Sequence, residues 1–497
     1  MAKRVESPAP LRRLAPIELY SSCRHHMGIY RSVTVTCRYN APSPSQKINA
    51  AFLYPALGRV VSAQPMLRVG ILKEETNEAT FCHIKTVDLS NHVSFKTVDP
   101  VDTLEQYNEQ IASQQGWHHD QLWHNTAEIP PWRIAIVEPS AAVVEKFPLI
   151  QDIIFSYHHA LLDGTSGKLF HQNLLKEINY QLHKEVRANG TTSPTSIMQF
   201  PDAPRLPEAQ DQIIQFTNSA TYLIKTLWNE LGPTKLRAKK IIPWHGKSID
   251  FAIPYVTRTK PVDFQPDVVA KLLKSCREHN TTITGLFHAL TVASFASRLP
   301  ASEASSFSAA TPISLRPFLG PNADPELKDA LRVLVTSYQH EFPADLVTSL
   351  RGSPTAASLD TNIWKIAQRV KTELIKRVDT MPRDDINGLM KYNSDWFGFF
   401  QKMDGKPRKD SWEISNIGVF KDTSATPGFT VSRVYFTNGA MVTGAPVALG
   451  VGSVPGGMLT IAFSWQEGVV SEEFVNNLAA DITSLVTRFH EKGLFGV

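Results

Sequence analysis

No stretch constrains the fold more than residues 148–182, PLIQDIIFSYHHALLDGTSGKLFHQNLLKEINYQL. It begins as a short apolar run rich in β-branched and aromatic side chains, the mark of a buried strand. From Thr165 the apolar spacing changes to three and four. Leu169, Phe170, Leu174, Leu175, Ile178 and Leu182 share one helical face, with Ser166 placed to cap the first turn. A strand that hands over to an amphipathic helix within a few residues can bury the helical stripe only against a sheet. This part of the chain is therefore a layered α/β unit.

The same exchange of periods runs through both halves. RSVTVTCRYN (31–40) and PPWRIAIVEP (130–139) read as strands, and residues 47–61 as a helix despite Pro55. A Pro-, Ser- and Thr-rich stretch at 187–210 predicts a long surface loop, followed by a helix over 211–231 and a basic connection. Beyond it, residues 255–264, 307–319, 412–420, 429–439 and 456–471 have strand composition. Residues 267–280 and 281–299 have helical spacing, the second helix capped by Thr281 or Thr282. A chain of 497 residues exceeds one ordinary core. The expectation is a mixed α/β protein of two subdomains, 1–235 and 236–497, each a layered mixed sheet with helices.

Composition removes several classes of function. The net charge is only +4, with basic and acidic residues interspersed, so nucleic acid is not an implied partner. Cysteines 23, 37, 82 and 276 have neither CxxC nor zinc spacing, which points to a reducing cytosol. The start, MAKRVESPAPLRRLAP, lacks the apolar core of a secretory signal, and no apolar run is long enough for a transmembrane span. Near the C-terminus, Phe474, Leu478, Ile482, Leu485, Val486 and Phe489 share a helical face. Docking on its own domain is favoured for that stripe over attachment to a membrane or lipid-droplet surface.

The chemistry concentrates in YHHALLDGTSG. HxxxD occurs once in the chain, and with 16 histidines roughly one match arises by chance, so spacing alone decides nothing. Its context gives it weight: a second His before it, a Gly after it, and a strand-to-helix turn around it. Imidazole, with an ordinary pKa near 6.5, is suited to taking a proton from an alcohol at neutral pH, which makes His159 the candidate base. Gly164 allows close approach to the backbone at the bend. Asp163 could orient the imidazole directly or turn to an arginine and fix the loop. His158, adjacent on a strand, faces the opposite way and has a supporting role.

Other constellations are weaker. HHDQLWHNTAE (118–128) lacks HExxH and a further ligand, and reads as a polar helix face; no metal site is expected. GxSxG is absent, GKS at 246–248 lacks the glycine of a phosphate loop, and GVGSVPGG (450–457) follows dinucleotide spacing only loosely.

YHHALLDGTSG resembles the HHxxxDG signature shared by chloramphenicol acetyltransferase, the plant BAHD acyltransferases and peptide-synthetase condensation domains. The fungal alcohol acetyltransferase family is the most similar. The likeness extends in order through RRLAPIELYSSCRHHMGIYRSV near the N-terminus, PPWRI, TTITGLFHA (281–289), PISLRPFL (312–319) and ISNIGVF (414–420). SDWFGFF (394–400) stands apart from the DFGWG of the plant branch.

The resemblance implies two chloramphenicol acetyltransferase-like subdomains with a channel between them, acyl-CoA entering one mouth and the alcohol the other. It implies His159 as general base and Asp163 as its structural partner. Arg316 of SLRP pairs with Asp163, with Arg24 and Arg31 as competitors. Ser415, Asn416 and Gly418 of SNIG lie near the thioester carbonyl or pantetheine arm, a β-bulge being the plain alternative for that stretch. Acetyl-CoA would act as co-substrate with no tightly bound cofactor. A site between subdomains of one chain is complete in a monomer. Two other readings remain: a condensation-type enzyme fed by a carrier protein, and a non-catalytic relative that acts as a binding scaffold. Neither the acceptor alcohol nor the acyl chain length is readable from the residues.

Overall fold

The computed structural model describes residues 8–188, 195–231, 242–319, 328–353 and 355–496. Its strands are β1 (Pro10–Arg13), β2 (Val33–Asn40), β3 (Val69–Leu72), β4 (Thr80–His83), β5 (Thr86–Asp88), β6 (Val93–Thr97), β7 (Trp132–Glu138) and β8 (Ile150–Tyr157). They continue as β9 (Ile197–Gln199), β10 (Thr257–Phe264), β11 (Phe307–Ser314), β12 (Val335–Phe342), β13 (Trp412–Val419), β14 (Thr430–Asn438), β15 (Val447–Ser453) and β16 (Leu459–Gln466). Two mixed sheets dominate, one in the order β14-β2-β8-β7-β6 and the other β10-β16-β15-β13-β11-β12. The mixed α/β class and two-subdomain architecture expected from the sequence are what the chain adopts.

Helices cover both sheets, the helix Leu104–Asp120 packing on the second face of the first. In the first, Val35, Cys37, Tyr39, Trp132, Phe155 and Tyr157 lie beneath the helices Ala50–Ala63 and Gly164–Ala188. Phe155 and Phe170 stack there with ring centroids 3.7 Å apart. The Gly164–Ala188 stripe is thus spent on the sheet, as its periodicity requires. In the second, β13, β15 and β16 lie beneath the buried helix Ile283–Arg298, which Thr282 caps by accepting the Gly285 N–H at 3.1 Å. The helix Glu472–Lys492 turns Leu478, Ile482, Leu485, Val486 and Phe489 into that core.

β14 lies between β13 and β15 in sequence but pairs antiparallel with β2, Asn438 opposite Val33 and Thr430 opposite Asn40. Two glycines of β15 let the second sheet pass close to β14 of the first. A Cβ on Gly450 would stand 2.0 Å from the Phe436 carbonyl oxygen, and one on Gly452 2.9 Å from Val434 Cγ1. The stretch set aside above as a loose dinucleotide pattern is therefore strand β15 and the start of its turn. The boundary expected near residue 235 lies outside the described residues.

Three local readings change. The helix expected over 211–231 is divided into Gln210–Ile213 and Ala220–Leu231, with Thr217 bridging Arg383 in between. The loop at 187–210, of which residues 189–194 lie outside the described residues, contains β9 paired with β5. His118 and His119, read as a polar helix face, are both buried in the last turn of the helix Leu104–Asp120. His119 sits within hydrogen-bonding distance of Ser32 Oγ at 2.9 Å and Thr437 Oγ1 at 2.7 Å.

Candidate active site

β8 ends at Tyr157, and residues 158–163 turn the chain before the helix starts at Gly164. A carbonyl oxygen can only accept, so the 3.0 Å contact between His159 Nδ1 and Leu162 O fixes the proton on Nδ1. Nε2 is left with its lone pair. The ring is partly exposed and lies 5.7 Å from the Tyr30 ring. The Arg24 guanidinium is sandwiched between Tyr30, at 4.5 Å, and Tyr20, at 4.2 Å. Burial first, and then the positive charge of Arg24, push the His159 imidazole down to about 4, so it is neutral at physiological pH.

His158 points the other way and is fully buried. Its Nδ1 accepts the Ala160 N–H at 2.9 Å, so Nε2 carries the proton and donates to Glu74 Oε1 at 2.9 Å. His25 does the same from the opposite side. Its Nε2 accepts the Trp123 N–H at 3.1 Å and its Nδ1–H donates to the same oxygen at 3.0 Å. Ser22 and Thr126 hydroxyls add donors at 3.2 and 3.3 Å. Although burial opposes ionisation, the two imidazole donors hold Glu74 well below the usual carboxylate range. The ligand atoms of His25, Glu74 and His158 lie within 4.8 Å of one another. A metal there would take the lone pair of a nitrogen whose ring partner already accepts an N–H, which would demand imidazolate. The donor set fits an electrostatic brace beneath the loop instead.

Asp163 turns away from His159. Its Oδ2 accepts from Arg316 Nη1 at 2.7 Å and from the Leu334 N–H at 2.9 Å, and its Oδ1 accepts the Ser166 N–H at 2.7 Å. Asp163, and not Ser166, therefore caps the helix. The Ser166 hydroxyl instead accepts from Arg316 Nη2 at 2.8 Å and donates to the Arg332 carbonyl at 2.7 Å. Arg24 lies on its tyrosines, and Arg31 donates to the Asp120 and Gly28 carbonyls.

β13 closes the other side. Trp412 and Ile414 enter the second core, Glu413 and Ser415 occupy the opposite face, and Ile417 joins the first core. The ladder to β15 shifts between Asn416 and Gly418, where Gly418 has φ +74° and its N–H donates to Asn416 Oδ1 at 2.8 Å. Asn416 Nδ2 donates to Thr284 Oγ1 at 3.1 Å. The Lys168 ammonium donates to the Ile417 carbonyl, and burial brings it down to about 8. Gly164 is needed for contact with this strand, because a Cβ there would meet Phe436 Cζ at 3.0 Å and Ile417 Cγ2 at 3.1 Å.

Three residues in a hydrogen-bonded chain that starts at the ring neighbour of His159 escaped the sequence reading. Tyr30 donates its hydroxyl to Asn438 Oδ1 at 3.0 Å, and Asn438 Nδ2 donates to Glu413 Oε1 at 3.0 Å. No spacing links positions 30, 413 and 438; only the insertion of β14 beside β2 brings them together. Glu74, separated from His158 by 84 residues, was invisible for the same reason.

His159, with its free Nε2 lone pair, follows the end of a first-sheet strand, and the bulged strand β13 belongs to the second sheet. A family model described as alcohol acetyltransferase matches residues 119–486, and the chain belongs to that family. It is an acyltransferase, with acyl-CoA and an alcohol as substrates. The chain is 27% identical over 495 residues to probable alcohol acetyltransferase FCK4 of Fusarium pseudograminearum, covering 99% of this chain and 97% of the relative. It is 23% identical over 487 residues to probable alcohol acetyltransferase crmB of Aspergillus fumigatus, covering 93% and 96%. The solved structure of the TRI3 trichothecene 15-O-acetyltransferase from Fusarium sporotrichioides superposes with TM-score 0.69 at 10% identity over 95% of this chain and 94% of that one. The condensation domain of the Monacolin K polyketide synthase MokA does so with TM-score 0.58 at 11% identity over 98% and 99%. Among the described residues no helix is long and apolar enough to cross a membrane.

Proposed function

We propose that the protein transfers an acetyl or other short acyl group directly from acyl-CoA to an alcohol, with His159 as general base. Nε2 takes the proton of the hydroxyl as its oxygen attacks the thioester carbonyl. A C–O bond forms, the C–S bond breaks, and the proton passes to the departing thiolate of coenzyme A. The Ser415 hydroxyl, on the β13 face opposite the second core, serves as a donor to the tetrahedral oxyanion, with Asn416 and Gly418 shaping the bulge beside the pantetheine arm. Asp163 and Arg316, with Gly164, hold the loop; His158 and Glu74 brace it from below.

The observation that carries this reading is the Nδ1–H bond to Leu162, which presents an unprotonated Nε2 on a ring kept neutral by its surroundings. Acyl-CoA is a passing co-substrate and no cofactor is held between turnovers. The division into residues 1–235 and 236–497, action as a monomer and a cytosolic workplace complete the proposal; a membrane or lipid droplet would have to engage a surface other than the docked stripe of the C-terminal helix. A moderately apolar alcohol of secondary metabolism suits the aromatic neighbours Tyr20 and Tyr30.

The test is thiol release from acetyl-CoA across an alcohol panel, with the ester identified by mass. His159→Ala is expected to lose about 10²- to 10⁴-fold in kcat while remaining folded by circular dichroism. Parental turnover in that variant would remove His159 as the base. Activity only with a pantetheinyl carrier protein would favour a condensation-type donor.

A further inference from the structure

Glu74 bonds the His158 loop directly and Glu413 is linked to it through Asn438 and Tyr30, and the two acidic side chains have opposite circumstances. Glu74 is buried among four donors and is ionised. Glu413 is partly exposed on the free face of β13, and its one hydrogen bond among the described residues comes from Asn438. Burial, reinforced by the nearby charge of Asp410, pushes its carboxyl up to about 7. Withdrawing a carboxyl from water for one neutral hydrogen bond costs more than an apolar side chain at the same position would. As architecture Glu413 is poorly accounted for; as a group waiting for a partner it is well placed.

Its position relates it to the reacting centre. Glu413 shares a β13 face with Ser415, about 7 Å further along the strand at two residues' rise. Through Asn438 it is tied to the hydroxyl of Tyr30, whose ring lies against that of His159. Arg24 lies within electrostatic range of both His159 and Glu413.

We propose that Glu413 is the specificity-determining residue for the acceptor, hydrogen-bonding a second hydroxyl several bonds from the one acetylated, so that the preferred substrate is a diol or more highly oxygenated alcohol and not a plain alkanol. This rests on the reading of His159 as the base acting on the first hydroxyl. A carboxyl near its midpoint suits the task, because either form can accept from a hydroxyl and the protonated form can also donate. A site built to pair a hydroxyl discriminates against the analogue that lacks it far more strongly than an apolar pocket does.

The experiment compares kcat/KM for butane-1,4-diol, hexane-1,6-diol and octane-1,8-diol with that for the matching 1-alkanols, acetyl-CoA being the donor. For the wild type, the diol-to-alkanol ratio is expected to reach about tenfold or more at the best-fitting length. Glu413→Ala is expected to bring the ratio down to the statistical factor of about two for a molecule with two equivalent hydroxyls, and Glu413→Gln to retain part of the preference. Using a ratio within each variant cancels any general loss from imperfect folding, and the wild-type series requires no variant. A wild-type ratio near two at every length overturns the inference while leaving acyl transfer standing, as does a preference that survives in Glu413→Ala. If the folded wild type releases no thiol with any alcohol of this or the wider panel, the acyl-transfer reading falls and the inference with it.

Discussion

A proton on Nε2 of His159 removes its capacity to accept another, so the pH at which this ring charges sets the acid limb of the reaction. Burial and the Arg24 guanidinium both disfavour the charged ring, which stays neutral until the pH falls through about 4. The kcat/KM profile of the wild type is therefore expected to stay flat from pH 8 to about 5.5, below the ordinary histidine midpoint. Arg24→Gln removes the repelling charge while burial remains, and should move the midpoint upward, so that kcat/KM begins to fall at a higher pH than in the wild type. Superimposable profiles for the two proteins would show that Arg24 does not tune the base. His159 and Asp163 were legible because they lie within one short motif. Arg24 was legible only as a rival partner for Asp163, since its cation–π seat on Tyr20 and Tyr30 depends on how the helix Pro16–His26 and the turn after it pack.

At the scale of elements, Arg316 ties its own segment to two others. It pairs with Asp163 at the start of the helix Gly164–Ala188, bonds Ser166 in its first turn, and reaches the Arg332 carbonyl ahead of β12 at 3.3 Å. Removing one member of a buried ion pair strands the other charge, a cost of about 3–5 kcal/mol. Arg316→Met is accordingly expected to lower the denaturation midpoint substantially and to reduce kcat by displacing the histidine loop, whereas Arg31→Gln, which leaves this pairing untouched, should have the smaller effect on stability. Equal midpoints in urea would discount the clasp. Half of the sixteen described strands announced themselves through β-branched and aromatic runs, β2, β7, β8 and β13 among them. β15 did not, because Gly450 and Gly452 depress strand propensity at the positions where β14 requires an absent side chain. The helix expected over 211–231 failed for the converse reason: its pattern continues through residues 214–219, but Thr217 is held extended against Arg383 by a tertiary contact.

For the whole molecule the decisive feature is β14, a strand from the later part of the chain that completes the earlier sheet. Composition could identify residues 429–439 as a strand, but nothing local says which sheet accepts them. Without β14, β2 becomes an edge along its full length from Val33 to Asn40, and the first core loses Val431, Val434 and Phe436. An unpaired apolar edge of that length invites association with other chains. Residues 1–235 expressed alone are therefore expected to aggregate or stay unfolded, and co-expression with residues 236–497 should bring them into solution as a complex. The intact chain should then lose the secondary structure of both sheets in one urea transition, since neither sheet can open without disturbing the β14 contacts. Hydrogen exchange provides the sharpest check: the β2 amides should be protected in the full chain and unprotected in the fragment. Soluble 1–235 with protected β2 amides would show that the first sheet folds without its fifth strand, and the site would then be assembled by docking of two preformed halves.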